Sequence, residues 1–256
     1  MVSSQHVQSF ARGLAVIKSF NETRSAQTLS EVAEVTGLSR ATARRFLHTL
    51  VDEGYATTDG SKFRLTPRVL ELGYSYLSSL TLPQVAQPRL EALSAKVSES
   101  SSLSVLDDGD IVYVNRVPVR KIMTVAITIG TRFPAFNTSM GRVLLAFQTP
   151  KFIKEYLDAT EFEATTSMTK IARADLEEQL ATARRQGWII VDQELEPGLR
   201  SVAAPVFSPD GRVAAAVNVS TQAAVHSLTD IEKNIVPEVV AAAQLITDDL
   251  ARMQVA

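Results

Sequence analysis

Arg40, Thr42, Arg44 and Arg45, with His48 beyond them, crowd one short stretch of the chain. On a helix capped by Ser39 they share the face opposite Ala43, Phe46, Leu47 and Leu50, so a cationic, hydrogen-bonding side stands over an apolar stripe. That chemistry grips phosphate and reaches base edges. A second candidate is GTRFPAFNTSMGRVLLAF, where a strand runs into a helix that starts near Thr138. The backbone N–H groups of Ser139 and Met140 at such a start suit a carboxylate or phosphate. A third is EPGLRSVAAPV, in which Gly198 marks a turn and Arg200 and Ser201 follow on a strand. Arg120, Arg132 and Arg200 are candidate carboxylate clamps, and each reads equally well as a structural bridge to Glu194 or Glu196. Asp192, Glu194 and Glu196 alternate along an expected strand and could form an acid/base set facing one pocket. With no His, Cys or Lys of matching role beside them, a solvated strand face or a turn cap is the better reading.

The elements that carry these residues follow from periodicity. Val7, Phe10, Ala11, Leu14 and Ile17 mark one helical face ending near Phe20. Thr28 and Glu31 form a capping box opening a second helix, with Leu29, Val32 and Ala33 inward and Gly37 as its stop. The third helix runs from Ser39 to Gly54. YATTDGSKFRL then reads as two short strands around Asp59-Gly60, the wing of a winged helix, where Lys62 and Arg64 would meet phosphate. Pro67 opens a linking helix with Val69, Leu72, Gly73, Tyr76, Leu77 and Leu80 on one side. That side either docks back on its own chain or, the favoured reading, packs on a second copy, because twofold symmetry sets the spacing of two DNA-reading helices. From Pro83 onward, strand pairs joined at Asp108-Gly109 and Asp210-Gly211 alternate with helices, and KIMTVAITIG and GWIIVDQEL read as further strands. Helices are expected before Ser100, from Thr138 to Pro150, over Ala174–Gln186 with Gly187 as stop, and finally after a cap formed by Thr229 and Glu232. The expectation is an α+β chain: a winged helix-turn-helix over 1–66, a linker helix over 67–82, and an antiparallel sheet with flanking helices over 83–256.

Composition narrows the function classes. The 256 residues carry a formal charge of −2 and are 45% apolar, enough for a sizeable core. Residues 1–67 hold eight basic against six acidic side chains, so the stretch with the basic helix is mildly positive and the rest mildly acidic. Zero cysteines exclude disulfides, thiolate metal sites and cysteine nucleophiles, and fit a reducing cytoplasm. His6, His48 and His226 are too scattered for a metal cluster, so no metal or cofactor is expected. There is no stretch long and apolar enough for a membrane span and no signal-peptide pattern, and no Walker loop, GxGxxG, GxSxG or HExxH occurs.

With these residues in place, the sequence resembles the IclR family of bacterial transcription regulators along nearly its whole length. The carriers are SFARGLAVIKSF, TLSEVAEVTGLSRATARRFLHTLVDEGY, GTRFPAFNTSMGRVLLAF, VDQELEPGLRSVAAPV and AAAVNVS. RVPVRKIMTVAITIGTRFPA, TSMGRVLLA and DQELEPGLRS look most like the PcaR, PcaU and PobR subgroup, which controls protocatechuate and β-ketoadipate catabolism. The resemblance implies a winged-helix reader joined to a GAF-like effector domain, homodimers on double-stranded DNA, and a dimer of dimers in solution. It places Thr28, Ser39, Arg40, Ala41, Thr42, Arg44, Arg45, Lys62 and Arg64 at DNA. It places Ile122, Val125, Ser139, Met140, Asp192, Leu199, Ser201, Asn218 and Ser220 at a small organic acid, protocatechuate or β-ketoadipate, and the clamp reading above adds Arg132 and Arg200 to that site. Ser201 stands where many members have Cys, and Asn218 where they have the first Ser of an SxS pair. Both departures add hydrogen-bonding groups, which implies an effector preference unlike that of glyoxylate- or pyruvate-type members. Two rivals remain at this point: an enzyme acting on a small acid with Asp192 or Glu194 as base, and a ligand-sensing adaptor whose helical unit binds protein.

Overall fold

The computed structural model describes residues 6–77, 81–119 and 127–253. It divides into two compact units, Met1–Ser79 and Leu80–Ala256.

In the first unit, α1 (Gln8–Lys18), α2 (Leu29–Thr36) and α3 (Arg40–Asp52) pack around Val16, Val32, Ala33, Ala43 and Leu47. Thr28 opens α2 with a complete capping box: its Oγ1 accepts the Glu31 N–H at 3.3 Å, and Glu31 Oε2 accepts the Thr28 N–H at 2.6 Å. Those bonds hold the Glu31 carboxyl below its usual range. Gly37 ends α2 in the left-handed region (φ 65°), which lets α3 turn away from it. The hairpin β2 (Ala56–Thr58) and β3 (Lys62–Leu65) forms as expected, with Asp59 Oδ1 accepting the N–H groups of Ser61 and Lys62. A third strand was not legible: β1 (Gln27–Thr28) pairs antiparallel with β3, Thr28 opposite Lys62, so the cap of α2 is tied to the wing. After Thr66, a 3-10 turn (Pro67–Val69) leads into α4 (Leu70–Leu77). The apolar stripe read in α1 is largely uncovered. Val16 is buried, whereas Phe10 is 68% and Leu14 41% exposed.

The second unit is one antiparallel sheet between two helical layers. The strands are β4 (Ser100–Asp107), β5 (Asp110–Val117), β6 (Arg132–Pro134), β7 (Ile189–Asp192), β8 (Leu199–Phe207) and β9 (Val213–Gln222), in the order β6-β5-β4-β9-β8-β7. Asp108 (φ 48°) and Gly109 (φ 83°) make the tight turn read from the sequence. Leu103, Val202, Ala204, Val217 and Val219 point to one side, under α5 (Thr81–Val97) and α10 (Val236–Met253). Ala203 and Ala216 point to the other, under α6 (Ser139–Ala146) and α8 (Arg173–Gln186).

Several expectations need correction. Residues 127–130, read as the end of a strand, form no strand and turn at Ile129 and Gly130, and residues 120–126 lie outside the described residues. The helix after Thr138 stops at Ala146, and Pro150 opens α7 (Pro150–Ala159) rather than ending a helix, because Thr149 caps it and proline suits a first turn. The cap near the C-terminus is Ser227, in extended backbone (ψ 161°), accepting the Asp230 N–H; Thr229 already lies inside the short α9 (Leu228–Asp230). A π-helical turn, Ile231–Ile235, continues into α10. Finally, β7 ends at Asp192 because Gln193 turns to φ 59°, so Asp192, Glu194 and Glu196 do not alternate along a strand.

Glu194 is not solvated at all: it is buried against Arg142, the fully buried cation of α6. The pair is bidentate, at 2.7 and 2.6 Å, and Arg142 Nε donates to the Phe136 carbonyl at 2.8 Å. The Glu194 carbonyl accepts from the hydroxyls of Thr165 and Thr169, and its carboxylate accepts the Lys170 N–H. Beside Arg142, Gly141 passes so close to Ala135 that a Cβ would stand 2.1 Å from the Ala135 carbonyl oxygen, so only glycine fits.

Two outcomes follow. Thr28→Ala should lower the stability of the first unit by about 1 kcal/mol, measured by urea unfolding followed by circular dichroism. Because the folded Glu31 pKa is depressed, its contribution is present above the unfolded value near pH ~4.3 and is lost as pH falls through the folded one. Arg142→Met should cost about 3–5 kcal/mol by stranding Glu194, and Arg142→Met with Glu194→Leu should recover much of that loss. Fluorescence of Trp188, the one tryptophan, reports this unit's unfolding; equal loss in the single and double variants would refute the stranded-charge account.

Candidate functional site

Helix α3 presents its polar side as expected. Ser39 Oγ accepts the Thr42 N–H at 3.2 Å and lies 2.8 Å from Thr42 Oγ1, which fixes the first turn. Arg40, Ala41, Arg44 and Arg45 are exposed along that turn and the next. None of these three arginines pairs with a carboxylate of the described residues, so their charge is free to meet an external anion. Lys62 and Arg64 project from the wing, Arg64 in a loose 3.4 Å pair with Asp59. The Thr28 hydroxyl is engaged with Glu31, so its service here is to hold the start of α2. Arg68 anchors the base of the wing, donating to the Glu53 carbonyl at 2.7 Å and lying over the Tyr55 ring.

In the second unit, strand register sorts the remaining candidates by face. Ser102 lies opposite Asn218 on one side and Arg116 on the other. Ser220 lies opposite Ser100 and Ser201. By alternation these residues, with Leu199 and Ser104, share the side of Ala203 and Ala216, beneath the start of α6. That start brings Ser139 and Met140, both buried. Thr138 Oγ1 caps the Gly141 N–H at 3.0 Å, while the Ser139 and Met140 N–H groups have no intrahelical acceptor. Among the buried polar atoms without hydrogen-bond partners are three at this row and the helix start above it: Ser104 Oγ, Ser139 Oγ and Asn218 Oδ1. Asn218 Nδ2 donates to Ser220 Oγ at 3.0 Å.

Arg116 was not singled out in the sequence, where it is one arginine among several in RVPVR. It is half-buried, touches Ser102 Oγ at 3.3 Å, and has no carboxylate partner among the described residues. Burial lowers its pKa, the neighbouring Tyr113 acting in the other direction. A half-buried guanidinium in a row of hydroxyl and amide groups has the chemistry to receive an anion.

The three residues read as clamps or acids with this group are placed otherwise. Arg200 pairs with Asp192 at 2.7 Å and donates to the Ala223 and His226 carbonyls, and both side chains lie on the opposite side, that of Val202 and Val219. Arg132 sits on edge strand β6, held by Asp107 at 2.6 Å and Asp110 at 3.2 Å. Neither bridges to Glu194. Ile122, Val125 and Arg120 lie outside the described residues. Among the described residues no group of His, Cys, Asp or Glu is arranged to hold a metal, and no helix is long and apolar enough to cross a membrane.

Comparison with known proteins converges on one family. Residues 9–60 match the IclR helix-turn-helix domain and residues 74–248 the bacterial transcriptional regulator IclR C-terminal domain. The Pca regulon regulatory protein of Pseudomonas putida is 41% identical over 92% of this chain and 81% of its own length. A transcriptional regulator from Rhodococcus sp. RHA1 superposes with a TM-score of 0.89 at 55% identity, covering 97% of this chain and 100% of that one. An IclR homologue from Microbacterium hydrocarbonoxydans, solved with 4-hydroxybenzoate, gives a TM-score of 0.84 at 27% identity over 95% of this chain and 99% of its own. These relatives regulate transcription rather than catalyse a reaction, which sets the small-acid enzyme reading aside. With a helix-turn-helix at one end and the matching sheet at the other, the chain belongs to the IclR family of bacterial transcriptional regulators.

Proposed function

We propose that this chain is a cytoplasmic, acid-responsive regulator of aromatic catabolism, acting in the protocatechuate and β-ketoadipate pathway. The observation that carries the reading is the polar row Arg116, Ser102 and Asn218 beneath the start of α6. Its unmet hydrogen-bonding atoms and half-buried guanidinium match a small carboxylic acid bearing hydroxyl or keto groups. Similarity to the Pca regulon protein and to a homologue holding 4-hydroxybenzoate supports an aromatic or dicarboxylic acid. In this reading Ser139, Met140, Leu199, Ser201, Asn218 and Ser220 line the effector site with Arg116. Arg40, Ala41, Thr42, Arg44 and Arg45 enter the major groove, and Ser39, Lys62 and Arg64 meet phosphate. The acid changes operator binding because it binds two states of the protein unequally.

The test is binding to the chain's own promoter-flanking DNA at two salt concentrations, with and without protocatechuate, β-ketoadipate and 4-hydroxybenzoate. Arg44→Ala should weaken binding and reduce the salt slope by about 1. Arg116→Met should leave binding to DNA intact and abolish its response to the acid. An unchanged response in Arg116→Met would refute this effector site, and no specific retention of the DNA at either salt would favour the protein-binding adaptor.

The same reading requires a homodimer, assembling further into a dimer of dimers. Phe10, Gly13, Leu14, Phe46, Leu50 and Leu72 line an open, almost wholly apolar groove of about 560 Å³ on the first unit. We assign a second copy to it, since its helix α4 residue Leu72 extends the apolar face read as the dimerising side, and twofold pairing presents two reading helices to one operator. Leu14→Glu should lower the mass measured by light scattering from that of the parent oligomer; an unchanged mass would remove this groove from the interface.

A further inference from the structure

A second cavity, of about 330 Å³, opens in the C-terminal unit away from the polar row. Its walls are the Asp108-Gly109 turn, the residues leading into α6, and the segment that follows α7. Four carboxylates line it, Asp108, Asp110, Glu161 and Glu163, and no basic side chain does. Asp110 is shared with Arg132 at 3.2 Å, whereas Asp108, Glu161 and Glu163 pair with no cation among the described residues.

Acidic clustering alone is ordinary surface chemistry. The independent observation is Asn137, which lines the same cavity and is fully buried. Its Nδ2 donates to Thr165 Oγ1, itself a wall residue, and its Oδ1 has no hydrogen-bond partner. A buried amide oxygen accepts only, so what satisfies it must donate. The rings of Phe136 and Tyr156 supply an apolar, π-rich wall. The carboxylates are not arranged as a metal site.

We propose that this cavity binds a small organic cation with N–H donors, a primary ammonium or guanidinium on a short carbon body. The charged end sits among Asp108, Glu161 and Glu163 and donates to Asn137 Oδ1, while the methylenes lie on Phe136 and Tyr156. The cavity shares parts with the surroundings of the first site: Asn137 is two residues from Ser139, and Thr165 donates to the Glu194 carbonyl. This assignment does not depend on which acid occupies the polar row.

Calorimetry of the full chain with agmatine and putrescine tests it, with tetramethylammonium as a cation of like charge lacking N–H donors. Saturable, salt-sensitive binding of agmatine, weakened at least tenfold in the exposed double variant Glu161→Gln/Glu163→Gln and unchanged in Glu177→Gln, supports the site. No saturable heat with either amine, equal binding of tetramethylammonium, or unchanged affinity in the double variant overturns it. So would a lower mass of the double variant by light scattering with no amine heat in the parent, which would assign the cavity to a basic side chain of another copy.

Discussion

The placement of α6 rests on one buried ion pair. Arg142 and Glu194 are both removed from water, and such a pair holds only when every remaining donor and acceptor is also met. Further hydrogen bonds meet groups that the pair leaves over: Arg142 Nε reaches the Phe136 carbonyl, Nη1 also reaches Gln179, and the Glu194 carboxylate accepts the Lys170 N–H, while two threonine hydroxyls hold the Glu194 main-chain carbonyl. The pair therefore pins three separated pieces of chain, the lead into α6, the turn after β7 and the segment before α8. Gly141 allows this by letting α6 lie against Ala135 at backbone distance. Without that approach the start of α6 would not stand over the sheet.

What α6 covers is a sheet face of unusual composition. Ser100, Ser102, Ser104, Ser201, Asn218 and Ser220 are small and polar at positions where the reverse side carries Leu103, Val202, Val217 and Val219. The apolar side stabilises the unit through burial under α5 and α10. The polar side gives up part of that gain and leaves Ser104, Ser139 and Asn218 with unmet atoms. A core built for stability alone does not retain such atoms, which is why the proposed acid belongs there.

The N-terminal unit shows the opposite imbalance. Its own core is small, and apolar side chains such as Phe10 and Leu14 stay in water, next to a groove that Phe46 and Leu50 complete. Its caps and turns are closed locally: the capping box, the Asp59 turn and the Arg68 anchor each form a local set of hydrogen bonds. That uncovered apolar side is the one the proposed homodimer would cover.

Local rules made much of this legible in the sequence. The Thr28 and Ser39 caps, the Gly37 and Gly187 stops and the Asp108-Gly109 turn depend on residues within a few positions of one another, so they read directly. The helix-turn-helix, the wing and the start of α6 at Thr138 followed from them. Long-range pairing decided the rest. Nothing in EPGLRS or VDQELE says that Arg200 turns to Asp192 while Glu194 crosses to Arg142, because opposite charges choose partners by three-dimensional distance and burial. Likewise Arg116 became a candidate only when register set it beside Ser102 and away from any carboxylate of the described residues, and β1 became a strand only through its partner β3. Sequence determines which segments cap, turn and alternate; tertiary structure decides which buried charges are already satisfied and which are left to receive a ligand.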